Sequence, residues 1–294
     1  MKKPSTISGL RELMRQNNIR PKKRWGQNFL VDGNILSKIA KYASADHNGY
    51  IVEIGPGLGA LTEELAIQHK GVLAIDIDYS LEPALRQVLS PYDNVHLIFQ
   101  DIMATDIEEE LTKVFQLKSV PNYTVCANIP YNITTPIIFK LLEQCPNLKS
   151  AILMMQKEVA GRIMAAPGGK DYGLLTLTVA YHAQAKFLMN VSPSCFYPRP
   201  EVESTVIKII PSSGKRVKVN QEKEFIMLLK FAFQKRRKTM LNIAADYFSC
   251  DKTLAKNILE EINISPARRP ETLDLEDFAS LANAFLEKNL YKKI

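Results

Sequence analysis

The feature that most constrains this chain is a series of short apolar segments, each ending in glycine, aspartate or asparagine and each followed by a helical pattern. Tyr50–Ile54 is apolar and β-prone, Gly55–Gly59 reads as a turn, and Ala60–His69 has helical periodicity. Gly71–Ile75 runs into Asp76, Leu81–Leu89 reads as a helix, and Val95–Phe99 leads to Asp101. Asn122–Cys126 runs into Asn128-Ile129-Pro130-Tyr131, Thr135–Gln144 is helical, and Ser150–Met155 is a fifth strand. Strands alternating with helices at this spacing predict an α/β fold with a mainly parallel, doubly wound sheet. Lys186–Val191 and Val202–Ile210 follow one another without a helix and predict an antiparallel edge pair.

Three regions follow from this pattern. Residues 1–30 read as a basic arm with weak helical periodicity from Ser8 to Asn18, and residues 31–211 hold the strands. Asp32 or Asn34 is expected to cap a helix running to about Tyr42. Pro211–Gly214 reads as a linker. Residues 215–294 read as a small all-α domain, with helices over Phe225–Phe233, Lys252–Ile262 and Leu275–Leu286.

Charge follows the same division. The arm carries a formal +7, residues 31–214 carry −5 and residues 215–294 carry +5. Basic ends around a mildly acidic body suit a polyanion held from both sides, although basic termini also serve solubility. The candidate contacts are Lys22, Lys23 and Arg24 in the arm, and the consecutive cations Lys235, Arg236, Arg237 and Lys238. Four successive cations cannot share one helix face, so one of them should pack locally or pair with an acid such as Glu222 or Glu224. No apolar run approaches the ~18 residues of a membrane span. The first residues lack the apolar stretch of a secretory signal. Cys126, Cys145, Cys195 and Cys250 lie far apart, which predicts reduced thiols, no zinc or other metal site and a cytoplasmic location.

In an open parallel sheet, ligands bind beyond the carboxyl ends of the strands. Gly55, Asp76, Asp101 and Asn128 are separated by 21, 25 and 27 residues, each roughly one βα unit, so all four should face one side. The loop from Glu53 to Ala60 brings backbone close to a ligand at Gly55 and Gly57. As G-x-G-x-x-A with Asp76 downstream it fits a dinucleotide fingerprint; as E-x-G-x-G-x-G it fits an S-adenosylmethionine loop. Asp76 suits a ribose diol in either scheme. Asp78 is its competitor and is expected to face solvent. Asp101 suits an adenine amine or, alternatively, a helix cap.

Asn128-Ile129-Pro130-Tyr131 favours methyl transfer to an adenine amine, a poor nucleophile whose lone pair is delocalised into the ring. The Asn128 side-chain oxygen and the Ile129 carbonyl can each accept one N–H, Pro130 stiffens the turn, and Tyr131 offers a ring for the base. The bland alternative is an Asn-x-Pro turn with a core tyrosine.

With these segments the chain resembles the ribosomal RNA adenine dimethyltransferases, and most closely the branch acting on bacterial small-subunit (16S) rRNA. The likeness rests on Gly26–Leu30, Glu53–Gly59, Asn128–Tyr131, Phe196–Pro200, Gln234–Thr239 and Arg268–Leu273. It implies a Rossmann-like class I methyltransferase fold, and S-adenosylmethionine contacts at Asn28, Leu30, Glu53, Gly55, Gly57, Asp76, Asp101 and Asn128. It further implies a target base held between Tyr131 and Phe196, and RNA contacts that include Arg268 and Arg269. The implied product is N6,N6-dimethyladenosine at two adjacent adenines near the RNA 3′ end. The implied partner is the immature 30S subunit, met in the cytoplasm by a monomer. Asp76 stands where that branch usually has glutamate, and Asn132 where an aromatic is common. Ile129 and Asn132 are closer to relatives that modify large-subunit (23S) rRNA and confer macrolide resistance. A non-catalytic ribosome assembly factor is the other alternative, and the intact glycine loop, Asp101 and Asn128 argue against it.

Overall fold

A strand whose residues are apolar without alternation must be covered on both faces, and the central strands here are. The computed structural model describes residues 3–22, 25–44, 49–130 and 133–290. Lys23, Arg24, Tyr131 and Asn132 lie outside the described residues. The chain divides into two compact units, Met1–Ala160 with Ala185–Pro211, and Gly161–Gln184 with Ser212–Ile294.

The first unit opens with helix α1 (Ile7–Gln16), capped by the Thr6 hydroxyl, and the two-residue strand β1 (Phe29–Leu30). Helix α2 (Gly33–Ser44) follows, and the Asp32 carboxylate accepts from the main-chain N–H groups of Asn34 and Ile35 at its start. Strands and helices then alternate: β2 (Tyr50–Ile54), α3 (Ala60–Gln68), β3 (Gly71–Asp76), α4 (Glu82–Leu89), β4 (Val95–Phe99), α5 (Ile107–Val114), β5 (Tyr123–Asn128), α6 (Thr134–Gln144) and β6 (Leu148–Gln156). Helices α7 (Lys157–Ile163) and α8 (Leu174–His182) precede β7 (Ala183–Val191), the short β8 (Phe196–Tyr197) and β9 (Ser204–Pro211). Helix α5 has no counterpart in the sequence reading. Its N-terminus is nevertheless marked, because the Asp106 carboxylate accepts from the Glu108 and Glu109 N–H groups ahead of an acidic first turn.

The seven-stranded sheet has the order β4-β3-β2-β5-β6-β9-β7. Strands β2 to β6 pair in parallel, and β9 runs antiparallel to β6. The two late β segments are neighbours at this edge. Strand order reverses between β2 and β5, where Ile54 pairs with Ala127, so the chain leaves these two strands in opposite directions and opens a crevice beyond their ends.

The arm is no free appendage. Leu10, Leu13, Met14, Ile19 and Phe29 are buried in one cluster with Leu58, Leu81, Leu85 and Val88. Strand β1 pairs antiparallel with β8, Phe29 opposite Tyr197 and Leu30 opposite Phe196.

The second unit is helical. It adds α9 (Glu222–Gln234), α10 (Met240–Phe248), α11 (Lys252–Glu261) and α12 (Leu275–Glu287). Residues 161–184, which the sequence reading placed with the strands, belong here. Tyr172, Leu177 and Tyr181 are buried in one apolar cluster with Phe225, Met240, Phe278 and Phe285, and the Tyr172 hydroxyl donates to the Leu273 carbonyl at 2.9 Å. The chain re-enters this unit at Ser212, at the predicted linker.

Candidate active site

A cavity lies at the strand-order reversal, walled by the glycine loop, the ends of β2, β3 and β5, the turn after β4, and arm residues Trp25–Leu30. The empty space along this crevice, counted out to its open mouth, is about 1220 Å³. Gly55, Gly57, Asp76, Asp101 and Asn128 all line it, as the strand-end spacing predicts. Asn28, Leu30, Glu53, Ile129 and Pro130 line it too.

Gly57 shows why the loop needs glycine. Its φ is +59°, and a Cβ built there would sit 2.9 Å from Cδ1 of Phe29. A side chain would therefore meet both backbone strain and the arm.

Three carboxyl groups face this region in different states. Asp76 is 9% exposed, and its Oδ1 accepts from the Asp78 N–H at 2.8 Å. Burial pushes its pKa up to about 6, against the opposing pull of main-chain N–H groups at Asp78, Gly57 and Ile77. Glu53 is buried and its Oε2 has no partner among the described residues. Burial, helped by the nearby Asp76 charge, pushes it up to about 8, so it is mostly protonated at neutral pH. Asp101 is exposed and accepts from the Met103 N–H at 2.9 Å. It sits in the turn after β4 and does not cap α5, a role Asp106 takes.

At the end of β5 the Asn128 Nδ2 donates to the Asn28 carbonyl at 3.0 Å. A carbonyl can only accept, so this bond fixes the amide orientation and leaves Oδ1 as the acceptor. Ile129 donates its N–H to the Met154 carbonyl at 3.0 Å, and the Pro130 carbonyl accepts from the Ile133 N–H at 3.2 Å. The Asn-Ile-Pro turn is thus anchored on both sides.

Several expectations need correction. Asp78 does not face solvent: its side chain is 2% exposed and accepts from Lys22 Nζ at 2.6 Å and Gln27 Nε2 at 2.8 Å. Lys22, expected to meet a polyanion, is half-buried and its ammonium is paired within the protein to Asp78. Phe196 is 4% exposed and packs with Leu30, Leu36 and Met154, as a core ring and not as a cavity wall. In the second unit Lys235 and Lys238 pair with Asp246, at 3.0 and 3.6 Å, and not with Glu222 or Glu224. Glu222 instead pairs with Lys215, and Glu224 accepts from the Tyr247 hydroxyl. Arg236 donates to the Lys170 and Gly169 carbonyls at 2.9 and 3.2 Å. Arg268 pairs with Asp277 at 2.9 Å. Arg237 and Arg269 are exposed and make no ion pair among the described residues.

Sequence reasoning missed Trp25, Gln27, Phe29 and Gln100 as cavity walls. A signal for Gln27 was available in the polar residues Lys22 and Gln27 flanking the arm's tryptophan.

The order of the strands, with a cavity at the reversal, defines a class I methyltransferase fold. The chain belongs to the family of the Ribosomal RNA adenine dimethylase, which matches residues 18–283. It is 44% identical to the Ribosomal RNA small subunit methyltransferase A of Enterococcus faecalis, over 98% of each chain. It is 41% identical to the protein of that name from Bacillus cytotoxicus, over 97% of this chain and 98% of that one. A crystal structure of a dimethyladenosine transferase from Plasmodium falciparum superposes with a TM-score of 0.74 at 28% identity, covering 90% of this chain and 100% of that one. That of the 23S rRNA methyltransferase ErmE gives 0.66 at 22% identity, covering 87% and 99%, a likeness of fold alone.

Proposed function

We propose that this enzyme dimethylates the N6 amine of two adjacent adenines near the 3′ end of 16S rRNA, with S-adenosylmethionine as methyl donor. The observation that carries the chemistry is Asn128: its amide is locked by Asn28, so an acceptor oxygen stands on the wall of the cavity at the strand ends. Near-full-length identity to small-subunit methyltransferases supports the choice of RNA.

The cavity's groups fit the donor. Asp76 can accept from ribose hydroxyls and Asp101 from an adenine amine. The Glu53 carboxyl supplies a buried oxygen still in want of a partner. When bound, the donor presents a methyl group on a positively charged sulfur. The chain's own part is to orient the nucleophile. Asn128 Oδ1 and the Ile129 carbonyl each accept one N–H of the target amine, which turns its lone pair toward the methyl. The nitrogen gives up one proton for each methyl gained. Tyr131 is assigned a stacking role against the base. Arg237 and Arg269 are the candidate phosphate contacts, with Lys23 and Arg24 in the arm.

Among the described residues no helix is long and apolar enough to cross a membrane. The reading places a monomer in the cytoplasm, acting on an immature 30S particle. Mapping dimethyladenosine in rRNA from cells with and without this gene tests it. Loss of the paired marks from 16S rRNA is the expected result; marks lost from 23S rRNA instead would overturn the choice of substrate.

A further inference from the structure

Asp78 lies outside the set of groups assigned to ligand or substrate, yet it is more deeply buried than Asp76. A buried carboxylate is retained only when paired and hydrogen-bonded, so its partners say what it is for. They are two arm side chains and its own turn. Lys22 Nζ lies 2.6 Å from Oδ1, and Gln27 Nε2 donates to Oδ2 at 2.8 Å. Ser80 contributes both its N–H and its hydroxyl to Oδ1. Gln27 closes the ring by accepting the Lys22 N–H at 2.9 Å. The main-chain N–H of Asp78 meanwhile donates to Asp76.

We infer that Asp78 is a positioning residue, a clasp that holds Lys22 and, beyond it, Trp25–Asn28 closed as one wall of the donor pocket. The inference rests on reading this cavity as the S-adenosylmethionine site. Three observations converge on it. The residues just beyond Lys22 in the described chain, Trp25 to Leu30, line the cavity continuously. The arm's Asn28 carbonyl orients Asn128, so arm position reaches the reacting end of the site. Helix α1 and Phe29 are anchored separately, by the apolar cluster with Leu58, Leu81 and Leu85. Opening the clasp would therefore free the segment between these anchors without unfolding the unit. A ligand that needs the closed arm loses affinity in proportion to the closed fraction.

The chain carries its own reporter. Trp25 is the sole tryptophan, it lines the cavity, and Lys22 Nζ sits 4.5 Å from the centre of its ring. The experiment compares the full chain with Asp78→Asn, Lys22→Met and Lys22→Arg. Tryptophan emission and acrylamide quenching are read without ligand, and S-adenosylhomocysteine affinity is read by calorimetry. Asp78→Asn and Lys22→Met should shift the emission to the red, increase quenching and weaken binding by about tenfold, equivalent to ~1.4 kcal/mol. Lys22→Arg should restore both. With saturating S-adenosylmethionine, which reseats the arm, kcat should stay within about threefold while KM for the donor rises. Unchanged emission and affinity in both Asp78→Asn and Lys22→Met would overturn the clasp, and so would a loss of kcat with KM unchanged. If Asp78→Asn does not fold, Lys22→Met, at a site whose side chain is one-third exposed, decides alone. Should the unaltered chain fail to bind S-adenosylhomocysteine, the assignment of the cavity falls. The emission comparison would still decide whether Asp78 holds the arm.

Discussion

Replacing Asp76 by asparagine should move stability and binding in opposite directions. In the ligand-free protein burial raises this carboxyl from its ordinary 3.8 to about 6, so the fold favours its neutral form. At 1.36 kcal/mol per pK unit, holding it ionised at pH 7 costs the folded state ~3 kcal/mol, as an upper bound. Asparagine is neutral and can still accept the Asp78 N–H through its carbonyl. The variant should be more stable than the parent at pH 7, by up to ~3 kcal/mol. The sign fixes the pH window. A group with a raised folded pKa contributes most below its unfolded value and loses that contribution as pH rises through its folded one. The variant's advantage should thus be absent below about pH 4 and grow through pH 6. Binding runs the other way, because hydroxyl donors favour the ionised carboxylate. Parent affinity for S-adenosylhomocysteine should fall about fivefold from pH 6 to pH 5, as the ionised fraction drops from about one-half to about one-tenth, and the asparagine variant should bind weakly with a flatter profile. Chemical denaturation of the ligand-free protein and calorimetry across pH 4–8 measure both. A variant less stable than the parent at pH 7, or one that keeps the parent's pH profile for binding, would refute the reasoning.

Other changes separate roles that the structure assigns. Asn128→Ala should lower turnover by ~2–4 kcal/mol in the transition state, by analogy with lost oxyanion donors, and single-turnover methylation on saturating RNA reads it. Gly57→Ala should lose ~1–2 kcal/mol to its left-handed backbone and more from pushing Phe29 aside, visible as a lower Tm and weaker S-adenosylhomocysteine binding. Arg236→Ala removes bonds to the Gly169 and Lys170 carbonyls and should destabilise the second unit by about 1 kcal/mol while leaving the salt dependence of RNA binding alone. Arg237→Ala with Arg269→Ala should leave Tm unchanged and flatten the log–log salt slope by about two.

What the sequence disclosed was what neighbours along the chain determine. Strand ends at Gly55, Asp76, Asp101 and Asn128 could be placed on one side because each βα unit repeats the same geometry. The Asp32 cap was legible from its place before an apolar helix face. Asp78 was not, because its burial comes from Lys22, 56 residues earlier, and no local pattern reports such a pair. The same reason hid the attachment of residues 161–184 to the helical unit, where Tyr172 meets Leu273 across 101 residues. Of the four cations Lys235–Lys238 one was expected to find a local partner, yet Asp246 and the Gly169–Lys170 carbonyls take up three. Tyr131 keeps only its sequence-based assignment.

The pairing of β1 with β8 has a consequence for how the protein is made. Phe29 and Leu30 leave the ribosome early, but their partners Tyr197 and Phe196 emerge much later, and Asn128, the partner of Asn28, comes 100 residues after it. Until then β1 has no ladder to join, although helix α1 and Phe29 can already pack against Leu58, Leu81 and Leu85. Strand β1 is therefore synthesised before the parallel sheet yet paired after it. A nascent chain that ends before Tyr197 can build the central parallel strands and still lack a finished wall for its donor pocket. Full seating of the donor-pocket wall is in this sense a late step of synthesis.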